Sequence, residues 1–142
     1  MSKIVCGILV ILMTLTGCGK HVSIQETSVE YAQSVDSPYR IDYTFTLLSN
    51  DSVGNEWQTS VTRDGQILQS GDTVTAPENT VITLTATVTE IDQYPDTASV
   101  TLDIPLEDGG TTTTTITVLE NGGAYINHAA EWEVTCSVTK TA

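Results

Sequence analysis

Apolar and polar residues alternate with a period of two along most of this chain. The clearest case runs from Thr80 to Thr89, where Ile82, Leu84, Ala86 and Val88 face Val81, Thr83, Thr85 and Thr87. Side chains on a strand point to opposite faces in turn, so this pattern predicts a half-buried strand. Its Thr and Val content agrees, because β-branched side chains pack well on a pleated surface. The same alternation begins at Tyr39, with Ile41, Tyr43, Phe45 and Leu47 on one face. A second strand is expected from about Glu56 to Arg63, with Trp57, Thr59 and Val61 on one side. Asp64-Gly65 then signals a tight hairpin turn. Ile67-Leu68 and Val74 to Ala76 read as short strands, separated by Ser70-Gly71-Asp72. Ala98, Val100, Leu102 and Ile104 mark a sixth strand, Thr111 to Glu120 a seventh, and Trp132, Val134, Cys136 and Val138 an eighth. The expected fold is all-β: an eight-stranded antiparallel two-sheet sandwich with short turns.

The N-terminus follows a different pattern. Lys3 precedes the apolar run Ile4 to Met13, which is too short to span a bilayer and reads as a secretory signal. Leu15-Thr16-Gly17-Cys18 resembles the lipobox of bacterial lipoproteins. That resemblance implies cleavage before Cys18, diacylglycerol on its sulfur, and anchoring at the extracytoplasmic face of the cell membrane. Gly19 stands where an Asp commonly retains such proteins at the inner membrane of diderm bacteria, so the outer membrane is expected in a diderm. More than one acyl chain gives a stable anchor to the lipid bilayer. The expected organisation is a signal peptide over residues 1–17, a lipidated polar tether over 18–38, and a sandwich domain over 39–142.

Removing the signal changes the charge and cysteine arithmetic. Cys6 leaves and Cys18 carries lipid, so Cys136 has no disulfide partner. It falls on the apolar face of the last strand and reads as a core thiol. The remaining bases, Lys20, Arg40, Arg63 and Lys140, face 18 acidic residues. So acidic a surface is a poor direct partner for nucleic acid or anionic lipid. A monomer is expected, with an envelope or host ligand as its partner.

The acid is densest between the fifth and sixth strands. Glu90, Asp92 and Asp96 lie within seven residues with no base nearby. Two such charges about 5 Å apart repel by roughly 3 kcal/mol at an effective dielectric near 20. The loop is therefore either splayed into water or neutralised by a cation, and calcium favours flexible carboxylates and carbonyls. If strand direction alternates, the loops after strands one, three, five and seven share one end. This brings Asn50, Asp51, Glu56, Asp72, Glu120, Asn121 and Asn127 towards the acidic loop. Val88-Thr89-Glu90-Ile91-Asp92-Gln93-Tyr94-Pro95-Asp96 resembles the third calcium loop of the C-two domains. Those domains are eight-stranded sandwiches with calcium ligands on loops at one end. The resemblance implies a calcium site formed by Asn50, Asp51, Glu56, Glu90, Asp92 and Asp96, with Glu90 in place of the family's first Asp. Val53-Gly54-Asn55-Glu56-Trp57 also resembles a segment of small secreted Firmicute proteins of unassigned function.

Other chemistry finds little support. The two histidines, His21 and His128, give no zinc spacing, and there is no nucleophile elbow or phosphate-binding glycine loop. The chain is not expected to be an enzyme. Two alternatives remain beside the calcium-binding sandwich. One is a metal-free Ig-like adhesion or structural module with solvated acidic loops. It would be favoured if the acidic loop and the Asn50–Glu56 loop lay at opposite ends. The other is a carbohydrate-binding module, which needs Trp57 or Trp132 exposed as a stacking platform.

Overall fold

The computed structural model describes residues 34–142. The expected signal peptide, the lipidation site Cys18 and the tether as far as residue 33 lie outside the described residues. All eight strands anticipated from the alternation form. They are β1 (Asp36–Asn50), β2 (Trp57–Arg63), β3 (Gln66–Leu68), β4 (Asp72–Pro77), β5 (Val81–Glu90), β6 (Thr97–Pro105), β7 (Thr111–Leu119) and β8 (Ala129–Lys140). They make two four-stranded sheets, in the orders β4-β1-β8-β7 and β3-β2-β5-β6. Every ladder is antiparallel.

The core follows from the period of two. β5 turns Ile82, Leu84, Ala86 and Val88 inward, β6 turns Leu102 and Ile104, and β7 turns Ile116 and Val118. β7 belongs to the sheet that faces β5 and β6, and in that same sheet β8 contributes Trp132, Val134, Cys136 and Val138, and β1 contributes Tyr39 and Ile41. Cys136 is a buried free thiol, as its place on the apolar face requires. Burial pushes its pKa up, so it is not the thiolate that reactivity needs. On the outer faces Thr87 bonds Ser99 and Thr113 bonds Thr135, which are cross-strand hydroxyl pairs.

β1 is longer than the alternation alone suggests. It starts at Asp36, three residues before the expected domain boundary. β4 pairs alongside that extension from Asp36↔Pro77 to Ile41↔Asp72. The Thr141 amide also donates to the Pro38 carbonyl at 2.9 Å. At the other end a register shift between Leu47 and Ser49 turns Leu47 partly outward, although its parity in the sequence points it to the core.

The loops after β1, β5 and β7 gather at one end, as the parity argument requires. The Asp51 amide donates to Ala129 and the Ile91 amide to Glu56. The turn after β3 does not join them. Its Gly71 amide donates to the Ile41 carbonyl, and Ser70 bonds the backbone of Tyr43, midway along β1. β3 has only three residues, so the chain crosses between sheets before reaching the end. Asp72 is therefore not a neighbour of the acidic loop. At the opposite end Asp64 and Gly65 both adopt positive φ, the backbone that a two-residue hairpin demands.

Leu84 has no exposed surface and sits on the central strand β5. Leu84→Ala should lower unfolding free energy by about 2–5 kcal/mol. Thr101→Ala on the outer face of β6 should stay within about 0.5 kcal/mol of the parent. Urea denaturation of the two variants checks the assigned faces.

Candidate functional site

The acidic end is built by three strands that keep their parity after their apolar residues run out. Ile82, Leu84, Ala86 and Val88 turn inward on β5, and the next residue in that series is Glu90. Counting back from Ile104, Leu102, Val100 and Ala98 on β6, the next position is Asp96. Counting on from Ile116 and Val118 on β7, the next is Glu120. Glu90 is 3% exposed and Asp96 1% exposed, and they are the two buried charged residues among those described. Glu120 is half-buried. The top of the core is therefore lined with carboxylates where the strands would otherwise place aliphatic groups.

The loops close over this layer. Asn50 accepts from the Val53 amide at 3.0 Å and donates to the Gly54 carbonyl, which folds the β1–β2 loop back on itself. Val53 is thereby pushed into the core at 2% exposure. Gly54, with φ of 143°, lies directly on the Glu90 side chain, and a Cβ there would collide with its carboxylate. The Glu90 amide donates to the Asp96 carbonyl at 2.8 Å, which pins the two ends of the β5–β6 loop together. Asp96 Oδ1 accepts from the Asn121 amide at 3.2 Å and so ties in the β7–β8 loop.

Two carboxylate oxygens are left over. Glu90 Oε2 and Asp96 Oδ2 are both buried and have no hydrogen-bond partner. Burial is the main cause that holds Glu90 above its ordinary pKa of 4.5, followed by the charges of Asp92, Asp96, Glu120 and Glu56. Among the described residues no lysine or arginine offsets these charges. Arg40 pairs with Asp42, Arg63 with Asp64 and Lys140 with Glu78, all away from this end. The nearest cationic candidate is His128, whose Nδ1 lies 2.8 Å from the Asp51 carbonyl oxygen and 3.4 Å from its carboxylate.

The six residues expected as calcium ligands thus reach one end but divide in role. Glu90 and Asp96 form the buried floor. Glu56 and Asp92 stand exposed at its edge, and Asp92 Oδ1 accepts from the Tyr94 amide within its own turn. Asn50 is spent on its loop, and Asp51 turns to His128. Glu120 was not among the expected ligands, although its parity with Ile116 and Val118 placed it on the floor. Its Oε1 accepts from the Gly122 amide at 3.0 Å. Among the described residues no three His, Cys, Asp or Glu side chains form a ready-made metal cage. A cation here would bind first to the buried pair and draw Asp92, Glu120, Glu56 and loop carbonyls inward.

The tryptophans belong to the core. Trp57 and Trp132 pack edge to face with ring centroids 5.3 Å apart, and Trp132 is 9% exposed. Neither offers the flat exposed ring that a sugar-stacking platform needs. No protein-family model, curated protein or solved structure matches the chain.

Gly54→Ala should destabilise the domain by about 1–3 kcal/mol in urea unfolding, since the new methyl meets the Glu90 carboxylate and the positive φ is strained. The acid chemistry gives a second expectation. A raised folded-state pKa means the folded protein binds more protons than the unfolded chain above pH 4.5. In chelator, the Glu90 contribution should therefore make stability fall as pH rises from about 4.5 through the raised value. Glu90→Gln should flatten that slope, measured by thermal unfolding at successive pH values.

Proposed function

We propose that this protein is a lipid-anchored β-sandwich of the cell envelope that binds calcium at its acidic end and uses that end for binding rather than catalysis. The supporting observation is the pair of buried carboxylates, Glu90 and Asp96, with unpartnered oxygens and, among the described residues, no lysine or arginine beside them. Buried anions are costly unless paired with a cation or neutralised by a proton. A hard divalent cation suits an all-oxygen donor set, and flexible loop carboxylates suit calcium in particular. The lipobox-like tetrapeptide ending in Cys18 supports the anchor, and the acidic composition supports an envelope setting.

A second reading has an observation in its favour. With no preformed cage among the described residues and an elevated Glu90 pKa, a proton on Glu90 could satisfy the pair without metal. The sandwich would then be a metal-free adhesion or structural module.

Thermal unfolding separates the two readings. The chain from residue 18 onward, carrying Cys18→Ser, would be melted in chelator and then in millimolar calcium or magnesium. Calcium at a hundred times its dissociation constant should add about 2.7 kcal/mol. At roughly 3–6 °C per kcal/mol, the midpoint should rise by about 10 °C. Asp96→Asn should abolish the rise and Asp92→Asn should reduce it. No rise at neutral pH would reject calcium binding and favour the protonated pair.

A further inference from the structure

The acidic end is also where the molecule shows its apolar side chains. Ten large apolar residues are exposed among those described, and seven of them lie at or beside this end. Ile91 and Tyr94 project from the β5–β6 loop, at 45% and 65% exposure, and Tyr125 and Ile126 from the β7–β8 loop, at 53% and 55%. Leu48 and Leu119 stand at the adjoining strand ends. The two loops touch, since the Asn121 amide donates to Asp96 Oδ1 at 3.2 Å. Tyr125 stacks edge to face on His128 at 5.4 Å, which fixes it as part of the same surface. The other exposed apolar residues, Val35, Ile67 and Val81, are scattered elsewhere.

Isolated exposed apolar residues are ordinary on a protein surface, but a concentration of them marks an interaction site. Here the concentration coincides with Asp51, Glu56, Glu90, Asp92, Asp96 and Glu120, and with no lysine or arginine among the described residues of that end. Tyrosine supplies large, rigid contact area at little entropic cost, and complementary charge steers association. The position also suits capture. The chain enters the sandwich at Asp36, and β1 carries it over fifteen residues to Asn50 at the acidic end. At about 3.3 Å per residue the tip stands roughly 50 Å from that entry.

We propose that this tip is a docking face for a polypeptide partner that presents basic side chains flanked by apolar ones. The apolar rim of Tyr94, Ile91, Tyr125 and Ile126 takes the partner's apolar groups, and the exposed carboxylates of Asp51, Glu56 and Asp92 take its lysines or arginines. The face does not depend on the calcium reading, because Asp51, Glu56 and Asp92 are exposed without calcium, and one divalent cation cannot offset these three together with Asp96 and Glu120.

The test uses the residue 18 to 142 chain with Cys18→Ser, and three synthetic peptides of equal length: Lys/Leu, Lys/Ser and Glu/Leu. Binding is followed by amide chemical shifts up to millimolar peptide, in chelator and in calcium. The Lys/Leu peptide should bind with shifts centred on residues 91–96 and 119–128, at least tenfold tighter than either control. The triple variant Tyr94→Ser, Tyr125→Ser, Ile126→Ser should weaken it tenfold or more. Ile67→Ser with Val81→Ser, which removes equally exposed apolar groups elsewhere, should change it less than twofold. Binding that survives the triple variant, or no preference for Lys/Leu, overturns the docking face. So does tip-dependent binding to phosphatidylglycerol vesicles without peptide binding, which would make the occupant a lipid surface. Peptide binding in chelator with no calcium shift of the melting midpoint supports the docking face while rejecting the calcium site. A calcium shift with no peptide binding does the reverse.

Discussion

A carboxylate carried into a protein interior must find a positive charge, a proton or enough hydrogen bonds, and this fold places two of them where such partners are scarce. The reason lies in the strand itself. Alternation is a property of the backbone and does not stop where the apolar residues stop. β5 carries its inward series through Val88 to Glu90, and β6, read backwards, carries its own through Ala98 to Asp96. The end of the core is thus acidic for the same geometric reason that its middle is aliphatic. The loops are arranged around this layer, with Gly54 set against Glu90 where no larger residue fits and Asn121 held by Asp96.

Two pressures act on that layer in opposite directions. Desolvation and mutual repulsion favour a protonated or cation-bound Glu90, while the backbone bonds that hold the loops keep the carboxylates gathered. The Glu90 amide to Asp96 carbonyl bond and the Ile91 amide to Glu56 carbonyl bond link strands of one sheet. The Asp51 amide to Ala129 carbonyl bond does the same in the other. Both sheets are therefore closed at the tip by backbone, and the charge state of the floor is left to the surroundings. Stability of the tip is in this way coupled to proton concentration through Glu90.

The strand order of events along the chain was legible in the sequence because β-branched residues, period-two runs and Gly- or Pro-bearing turns all pointed the same way. Asp64-Gly65 shows it well, as both residues adopt the positive φ that their identity permits. The gathering of three loops at one end was legible too, from strand count and parity. Less legible was the height of each turn. β3 has only three residues, and nothing in Gln66 to Leu68 announces that the chain will cross between sheets halfway along β1. That detail removes Asp72 from the acidic end. The burial of Glu90 and Asp96 could have been read from parity, but acidic residues beside a loop are ordinarily assigned to solvent. Ligand identity lies beyond parity, since it depends on side-chain positions that a strand pattern does not fix.

One more property follows from the long first strand. β1 is hydrogen-bonded on both edges, to β4 beside its first residues and to β8 along most of its length. It begins where the chain enters the domain and ends at the tip. A pull between Asp36 and the tip would therefore be directed along this strand. The antiparallel bonds lie across that direction, so they would be loaded in shear and resist together instead of parting one at a time. Force applied where the chain enters the domain is therefore shared across the whole ladder, and a strand held in this way is suited to bear tension.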